Sequence, residues 1–200
     1  MNLTEQDAAL MRKMDAAFAD AAERAGNQLA CKAGCAQCCV GAFAIHALDG
    51  ARLRRAMEEL RVSNPEAARA VEERAGRWIE QWGGEFPGDI ETGILGASEE
   101  EEERFEEFAD DAVCPALDPD TQKCAVYAGR PMTCRLFGPP VEVEGGYGCC
   151  ELCFVGADEA EIARCAMQVP HEEEAGLVAQ MADESQTVVA CVLAGRGTRG

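Results

Sequence analysis

Four cysteines lie within nine residues near the start of the chain, at Cys31, Cys35, Cys38 and Cys39. A gap of two residues lets one turn of the backbone present two sulfur atoms to a single ion, as in structural metal knuckles. The neighbours Cys38 and Cys39 point in different directions, so they are not expected to bind one tetrahedral ion side by side. The cluster therefore predicts a metal site in which one of this pair bridges or serves a second ion.

The chain has twelve cysteines in 200 residues, which is typical of either a disulfide framework or thiolate ligation of metal. Residues 1–20 carry acidic side chains and lack the apolar run of a secretory leader. We therefore expect a cytoplasmic protein, where clustered thiols stay reduced and bind metal or do redox chemistry, and we favour metal. Cys165 and Cys191 lie in apolar helical segments, and we expect them to be buried thiols that bind no metal.

The charge of the chain limits its partners. With 18 basic and 37 acidic residues, the formal net charge is -19, which repels phosphate backbones and anionic lipids. No stretch approaches the roughly 18 consecutive apolar residues of a membrane-spanning helix. We expect a soluble protein whose partner is a metal ion, with no nucleic acid and no membrane.

A second motif follows downstream, where Cys124-Ala-Val-Tyr-Ala-Gly-Arg-Pro-Met-Thr-Cys-Arg ends at Arg135. Pro131 suits the first position of a helix, so Cys134 would lie in the first turn, where the helix dipole favours a thiolate. Arg130 and Arg135 add positive charge that would offset several thiolates. The ring of Tyr127 is expected to pack in the core.

In this order, the two motifs resemble the YkgJ-type cysteine-cluster family, described as a zinc- or iron-chelating domain. The resemblance covers about 31–153 and implies an intracellular metal or iron–sulfur site. Some family members, such as flagellin lysine methylases, look like enzymes built on this core. Carried over by position, the cysteine pattern falls on Cys31, Cys35, Cys38, Cys39, Cys114, Cys124 and Cys134, with a last ligand among Cys149, Cys150 and Cys153.

Thiolate ligation selects zinc or iron over calcium or magnesium, because soft ligands bind soft or borderline ions. Eight cysteines would satisfy two zinc ions, one 4Fe-4S cluster with thiols left over, or a multinuclear site. The first hypothesis is a metal-binding protein with a structural, metal-handling or sensing role, since no catalytic constellation appears. The alternative is an iron or iron–sulfur enzyme for group transfer, such as methylation. No glycine-rich cofactor fingerprint supports that alternative.

The predicted fold is mainly α-helical, with minor β-structure. One domain spans 1–200, in which helices enclose an irregular cysteine-rich centre; the motif core is 31–153, and 154–200 is a C-terminal helical segment. A strand near Val141 is expected to enter a hairpin at Gly145, while 86–96 is expected to be a loop. Capping residues and helical periodicity predict helices over 3–29, 48–62, 65–82, from 99 onward after Ser98, 157–167 and 172–193.

Overall fold

The computed structural model describes residues 2–181 and 183–197. The described part of the chain is 53% helical with only small sheets, which confirms the mainly helical prediction. The chain groups into two compact units. The first unit takes in Met1–Cys35 and Met132–Gln180, and the second takes in Ala36–Pro131 and Met181–Gly200. None of the described helices is long and apolar enough to cross a membrane.

The elements are numbered in chain order. The helices are α1 (Leu3–Ala25), α2 (Ala47–Ser63), α3 (Pro65–Trp82), α4 (Glu99–Glu106), α5 (Met132–Leu136), α6 (Glu159–Arg164), α7 (His171–Gln180) and α8 (Val189–Leu193). The strands are β1 (Ala44–His46), β2 (Gly88–Asp89), β3 (Ile94–Leu95), β4 (Leu117–Asp118), β5 (Lys123–Cys124), β6 (Val141–Val143), β7 (Gly146–Gly148) and β8 (Gln186–Val188). The strands pair antiparallel, as β1 with β8, β2 with β3, β4 with β5, and β6 with β7.

In the first unit, α1 packs against α5 and α7. It begins with a capping box, in which the Asn2 side chain accepts from the Glu5 backbone N–H and the Glu5 carboxylate accepts from the Asn2 N–H. The helix ends four residues before the predicted Leu29, because Gly26 adopts a positive φ of 52° that breaks the helical path. The predicted hairpin is confirmed by β6 and β7.

The second unit is built on α2, α3 and α8, which pack around a core that includes Ile45, Leu53 and Val71. Asn64 caps α3 by accepting from the Ala67 N–H at 3.1 Å, and Pro65 takes the first helical position as predicted. A smaller aromatic cluster forms beside this core. Its centre is Phe108, which packs edge-to-face with Trp78, Trp82 and Phe86.

The C-terminal region differs from its prediction. A continuous helix over 172–193 is wrong, because α7 ends at Gln180 and a strand, β8, precedes the short helix α8. The Asp183 carboxylate accepts from the Ser185 N–H and hydroxyl, a local turn that competes with helix. Thr187 then donates its hydroxyl to the Gly93 carbonyl at 2.6 Å and keeps this segment extended. The predicted loop 86–96 likewise contains the short pair β2 and β3.

One buried ion pair in α2 provides a test of the second unit. The Arg52 guanidinium donates to the Asp49 carboxylate at 2.6 Å, and both side chains are almost completely buried. Asp49→Ala should lower the free energy of unfolding by about 3–5 kcal/mol, because it removes the buried carboxylate to which the buried guanidinium donates. Urea unfolding followed by circular dichroism measures the loss.

The matched control is Lys13→Ala, which removes the exposed ion pair between Lys13 and Glu173. This control should lower the free energy of unfolding by at most about 1 kcal/mol. An Asp49→Ala protein as stable as the control would contradict the importance of the buried pair.

Candidate metal centre

The ten predicted ligands fall into both units of the structure. The first unit contains Cys31, Cys35, Cys134, Cys149, Cys150 and Cys153, and the second contains Cys38, Cys39, Cys114 and Cys124. Within each unit, cysteines from distant parts of the sequence affect one another's ionisation. We call Cys31, Cys35, Cys150 and Cys153 the first-unit set. Likewise, Cys38, Cys39, Cys114 and Cys124 are the second-unit set.

Two turns present the sulfur atoms of the first-unit set. The Cys35 N–H donates to the Lys32 carbonyl at 2.9 Å, and Gly34 supplies the positive φ of 93° in this turn. The Cys153 N–H donates to the Cys150 carbonyl at 2.8 Å, which closes the second turn. The two segments meet directly, since the Ala30 N–H donates to the Cys153 sulfur at 3.3 Å.

Gly138 makes room for the sulfur atom of Cys31. A Cβ atom at Gly138 would lie 2.5 Å from the Cys31 sulfur, a separation too short for any side chain there. The φ of Gly138 is also positive, at 114°. This role of Gly138 was not predicted, although a glycine followed by Pro139 and Pro140 marks a special backbone position.

Neighbouring thiols raise the pKa of two members of the first-unit set, Cys31 and Cys150. Burial, together with the negative charges of Cys153, Cys35 and Cys150, raises the pKa of Cys31 to about 12. Burial also raises the pKa of Cys150, with added effects of Cys153 and Cys35. A bound cation would relieve this repulsion, because it favours the thiolate form of each ligand.

A short ladder and a hairpin position the second-unit set. The Cys114 N–H donates to the Cys39 carbonyl at 2.8 Å, and the Gly41 N–H donates to the Ala112 carbonyl at 2.9 Å. This pairing joins the N-terminal cysteine motif to a segment more than seventy residues later. The β4–β5 hairpin then returns the chain, with Leu117 opposite Cys124.

The Cys38 and Cys39 thiols of the second-unit set hydrogen-bond to each other, because both residues lie in one turn of 3-10 helix, Gln37–Cys39. The expectation that these neighbours point in different directions is therefore wrong, and both sulfur atoms can face one ion. A hydrogen bond from the Cys39 thiol lowers the pKa of Cys38 to about 6, and the Arg130 charge lowers it too. The same hydrogen bond raises the pKa of Cys39, together with burial and the charge of Cys114. Burial raises the pKa of Cys114 to about 12. The set thus combines one thiolate with neighbours that must lose protons before they bind a metal.

Both sets have the donor chemistry for zinc or iron, since thiolate sulfur suits these metals. Among the described residues, no three cysteine, histidine or carboxylate side chains are already close enough together to hold one ion. The sulfur atoms of a set would therefore have to draw together around a bound ion.

The structure confirms the predicted surroundings of three cysteines and contradicts the prediction for Tyr127. Cys134 lies in α5, in the helical turn after Pro131, as predicted. Cys165 and Cys191 are buried, which confirms them as apolar packing residues. The prediction for Tyr127 is wrong, because its side chain is 57% exposed and its ring lies against Arg130 instead of in the core.

The two arginines of the second motif have different surroundings. The charge of Arg130 lowers the pKa of Cys38 and opposes the rise in the pKa of Cys124 that burial causes. Arg135 is buried in the first unit, where it donates to the Asp15 carboxylate. Arg130 therefore acts on the thiols as predicted from its position in the motif.

A family model described as "Putative zinc- or iron-chelating domain" matches residues 30–153. The chain belongs to this CxxCxxCC family. The match confirms the YkgJ-type resemblance, and its range includes every predicted ligand. No curated protein and no solved structure matches the chain. Membership of the CxxCxxCC family thus supports metal binding, and the structure adds how the cysteines group within each unit.

The contact between Gly138 and Cys31 gives a specific mutational test. Gly138→Ala should displace the Cys31 sulfur and reduce metal binding by the first-unit set, because the new Cβ occupies the space of that atom. The strained positive φ alone should cost about 1–2 kcal/mol of stability. Metal content per chain, measured by mass spectrometry of elements, reports the loss.

Gly145→Ala is the matched control for Gly138→Ala. Gly145 also has a positive φ, at 88°, but no atom lies within 4 Å of a Cβ placed there. This control should show the backbone strain and keep its metal. Equal metal content in the two variants would contradict the role of Gly138.

The raised pKa of Cys114 predicts a pH dependence for the metal-free protein. Because the folded-state pKa of about 12 exceeds the ordinary value of 9.0, Cys114 contributes stability that is complete below pH 9 and lost as pH rises toward 12. Cys114→Ala should therefore have a flatter decline of unfolding free energy over this range. Urea unfolding at a series of pH values measures it, and identical declines in the two proteins would contradict the assignment.

Proposed function

We propose that this protein holds zinc or iron through two sets of cysteine thiolates, one in each unit. The observation that carries the proposal is the contact between early and late cysteine segments within each unit, all inside the range of the CxxCxxCC family match. The Ala30 N–H donates to the Cys153 sulfur in the first unit, and the Cys114 N–H donates to the Cys39 carbonyl in the second. Each set brings together two early and two late cysteines of the sequence. Four thiolates are the complete ligand count of a tetrahedral zinc ion or of one iron–sulfur cluster.

A bound metal would supply positive charge to these thiolates, whereas the protein places few basic side chains near them. The chain has a net charge of -19, so its long-range field attracts cations. Within the second-unit set, Arg130 is a cation that acts on Cys38 and Cys124. A single guanidinium compensates one thiolate, whereas a divalent ion compensates two and coordinates all four.

The exposure of the two sets suggests different roles. Beside the first-unit set, Cys149 interacts with Cys153 and is exposed; within the set, Cys150 is half-buried and Cys153 is buried. Burial dominates the environment of Cys114 and Cys124 in the second-unit set. We therefore assign a structural role to the second-unit set and metal exchange to the first-unit set. Such a protein would handle or sense metal in the reducing cytoplasm, where its twelve thiols persist.

The first experiment is to measure metal content and visible absorption of protein purified without oxygen. The proposal predicts metal in both sets, so Cys35→Ser and Cys124→Ser should each lose the metal of one set and keep the other. A colourless protein with zinc would assign zinc. A brown protein with iron and acid-labile sulfide would assign an iron–sulfur cluster.

Cys165→Ala and Cys191→Ala are the matched controls in the first and second units. Cys191 is buried in a cluster that contains no proposed ligand, and Cys165 packs in the same buried cluster as Cys153 without being a proposed ligand. Both controls should keep full metal content. Tryptophan fluorescence identifies the set that loads, because Trp78 and Cys114 line the same small apolar cavity and both tryptophans belong to the second unit. Wild-type protein that takes up neither metal would contradict the proposed function.

Chelation tests the division of roles. A chelator should remove metal from the first-unit set first, with little change in tryptophan fluorescence and in the helical circular dichroism signal. Removal of metal from the second-unit set should then unfold the second unit, because metal binding is coupled to folding. Loss of the fluorescence signal before any other metal leaves would reverse the assignment.

A further inference from the structure

The side chains of Tyr127 and Arg130 form a stacked pair in the second unit. The Arg130 guanidinium carbon lies 4.1 Å from the centre of the Tyr127 ring, well within the distance of a cation–π contact. The Tyr127 ring is largely exposed, so burial does not account for its position. The Nε atom of Arg130 is nevertheless buried, which places the guanidinium between the ring and the interior.

The backbone that carries this pair is anchored on α2. Residues Tyr127–Gly129 form one turn of 3-10 helix, and the Gly129 N–H donates to the Val126 carbonyl at 2.9 Å. A Cβ atom at Gly129 would lie 2.6 Å from the Arg52 carbonyl oxygen and 2.5 Å from the Ala56 Cβ. Only glycine permits this close approach, so the turn packs in a fixed position on α2.

Because the turn is fixed on α2, the charge of Arg130 acts on two members of the second-unit set. Cys124 lies at the end of β5, three residues before Tyr127, and Cys38 lies in the N-terminal motif. Arg130 lies close enough to both cysteines for its positive charge to interact with their sulfur atoms. A ring stack leaves the edge of a guanidinium available for hydrogen bonds, which suits a cation that must face sulfur.

We propose that Tyr127 clamps Arg130 as a positioning residue that stabilises the metal-loaded second-unit set. This inference rests on the proposed function. Four thiolates around one divalent ion leave two negative charges in a half-buried place, and Arg130 offsets one of them. Tyr127 keeps the guanidinium from turning out into solvent. The pair would thus raise metal affinity without contacting the ion.

The test measures zinc affinity of the second-unit set by competition with a chromophoric chelator, with tryptophan fluorescence as the site-specific signal. Arg130→Gln should weaken zinc binding by about 10- to 100-fold, the range found when a residue supporting a metal ligand is removed. Tyr127→Leu should weaken it in the same direction by a smaller factor. Tyr127→Phe keeps the ring and should bind zinc like the wild type.

Arg61→Gln is the matched charge control. Arg61 belongs to the same unit but pairs with Glu72 on the exposed face of the helices, so its loss should leave zinc affinity unchanged. Should Arg130→Gln fail to fold, Arg130→Lys and Tyr127→Leu take its place. Arg130→Lys keeps the positive charge, and Tyr127→Leu releases the Arg130 charge from the ring.

Nuclear magnetic resonance of the arginine side chain tests the clamp without metal. The Arg130 Nε–H signal should be shifted by the ring current in wild type and in Tyr127→Phe, and the shift should disappear in Tyr127→Leu. An unshifted wild-type signal would overturn the clamp. Zinc affinity unchanged in Arg130→Gln would overturn the role of Arg130 alone, whereas wild-type protein that binds no metal would overturn the proposed function itself.

Discussion

Electrostatic repulsion between buried thiolates is the constraint on which the cysteine-rich parts of this protein depend. Burial raises the pKa of a thiol, and each neighbouring thiolate raises it further. The consequence is visible in Cys31 and Cys114, whose pKa values rise to about 12. Without a cation, the cysteines of each set stay protonated and their sulfur atoms stay apart. With a cation, they lose their protons and become ligands. The backbone must therefore bring the sulfur atoms near each other without forcing them together.

Each unit solves this problem by pairing an early and a late segment of the chain. In the first unit, the Phe154 N–H donates to the Gln28 carbonyl at 2.9 Å, next to the contact between Ala30 and Cys153. In the second unit, the pairing of Cys39 with Cys114 has the same effect. Backbone hydrogen bonds thus fix the approach of the segments, and the side chains keep freedom to close around an ion.

The sequence predicted the features that rest on local chemistry. The caps at Ser98 and Asn64 and the hairpin at Gly145 depend on residues within one turn, and the structure has all three. The motif spacing likewise identified the family. Features that depend on distant partners were not predictable. β8 forms because Ala44–His46 offers it a strand edge, and no periodicity within 172–193 encodes that edge.

The position of Tyr127 and the grouping of the cysteines both depend on contacts between distant parts of the chain. A tyrosine in an apolar context usually packs inside, but here the adjacent turn is drawn onto α2 by Gly129, which leaves the ring outside. The late cysteines offered three choices for a last ligand, because spacing alone does not say which sulfur meets Cys31. That choice stays a prediction for metal measurements, although Cys150 and Cys153 are the ones that influence Cys31.

The bridge beside Cys39 and Cys114 has a consequence for the protein surface. Neighbouring residues on an extended strand face opposite sides, so ligands placed in a ladder force their neighbours the other way. Val40 and Val113, which pair across this ladder, are accordingly 46% and 56% exposed. Their β-branched side chains favour the extended backbone that the cysteines need, although they bury little area themselves. Two surface valines are thus explained by the geometry of the thiols behind them.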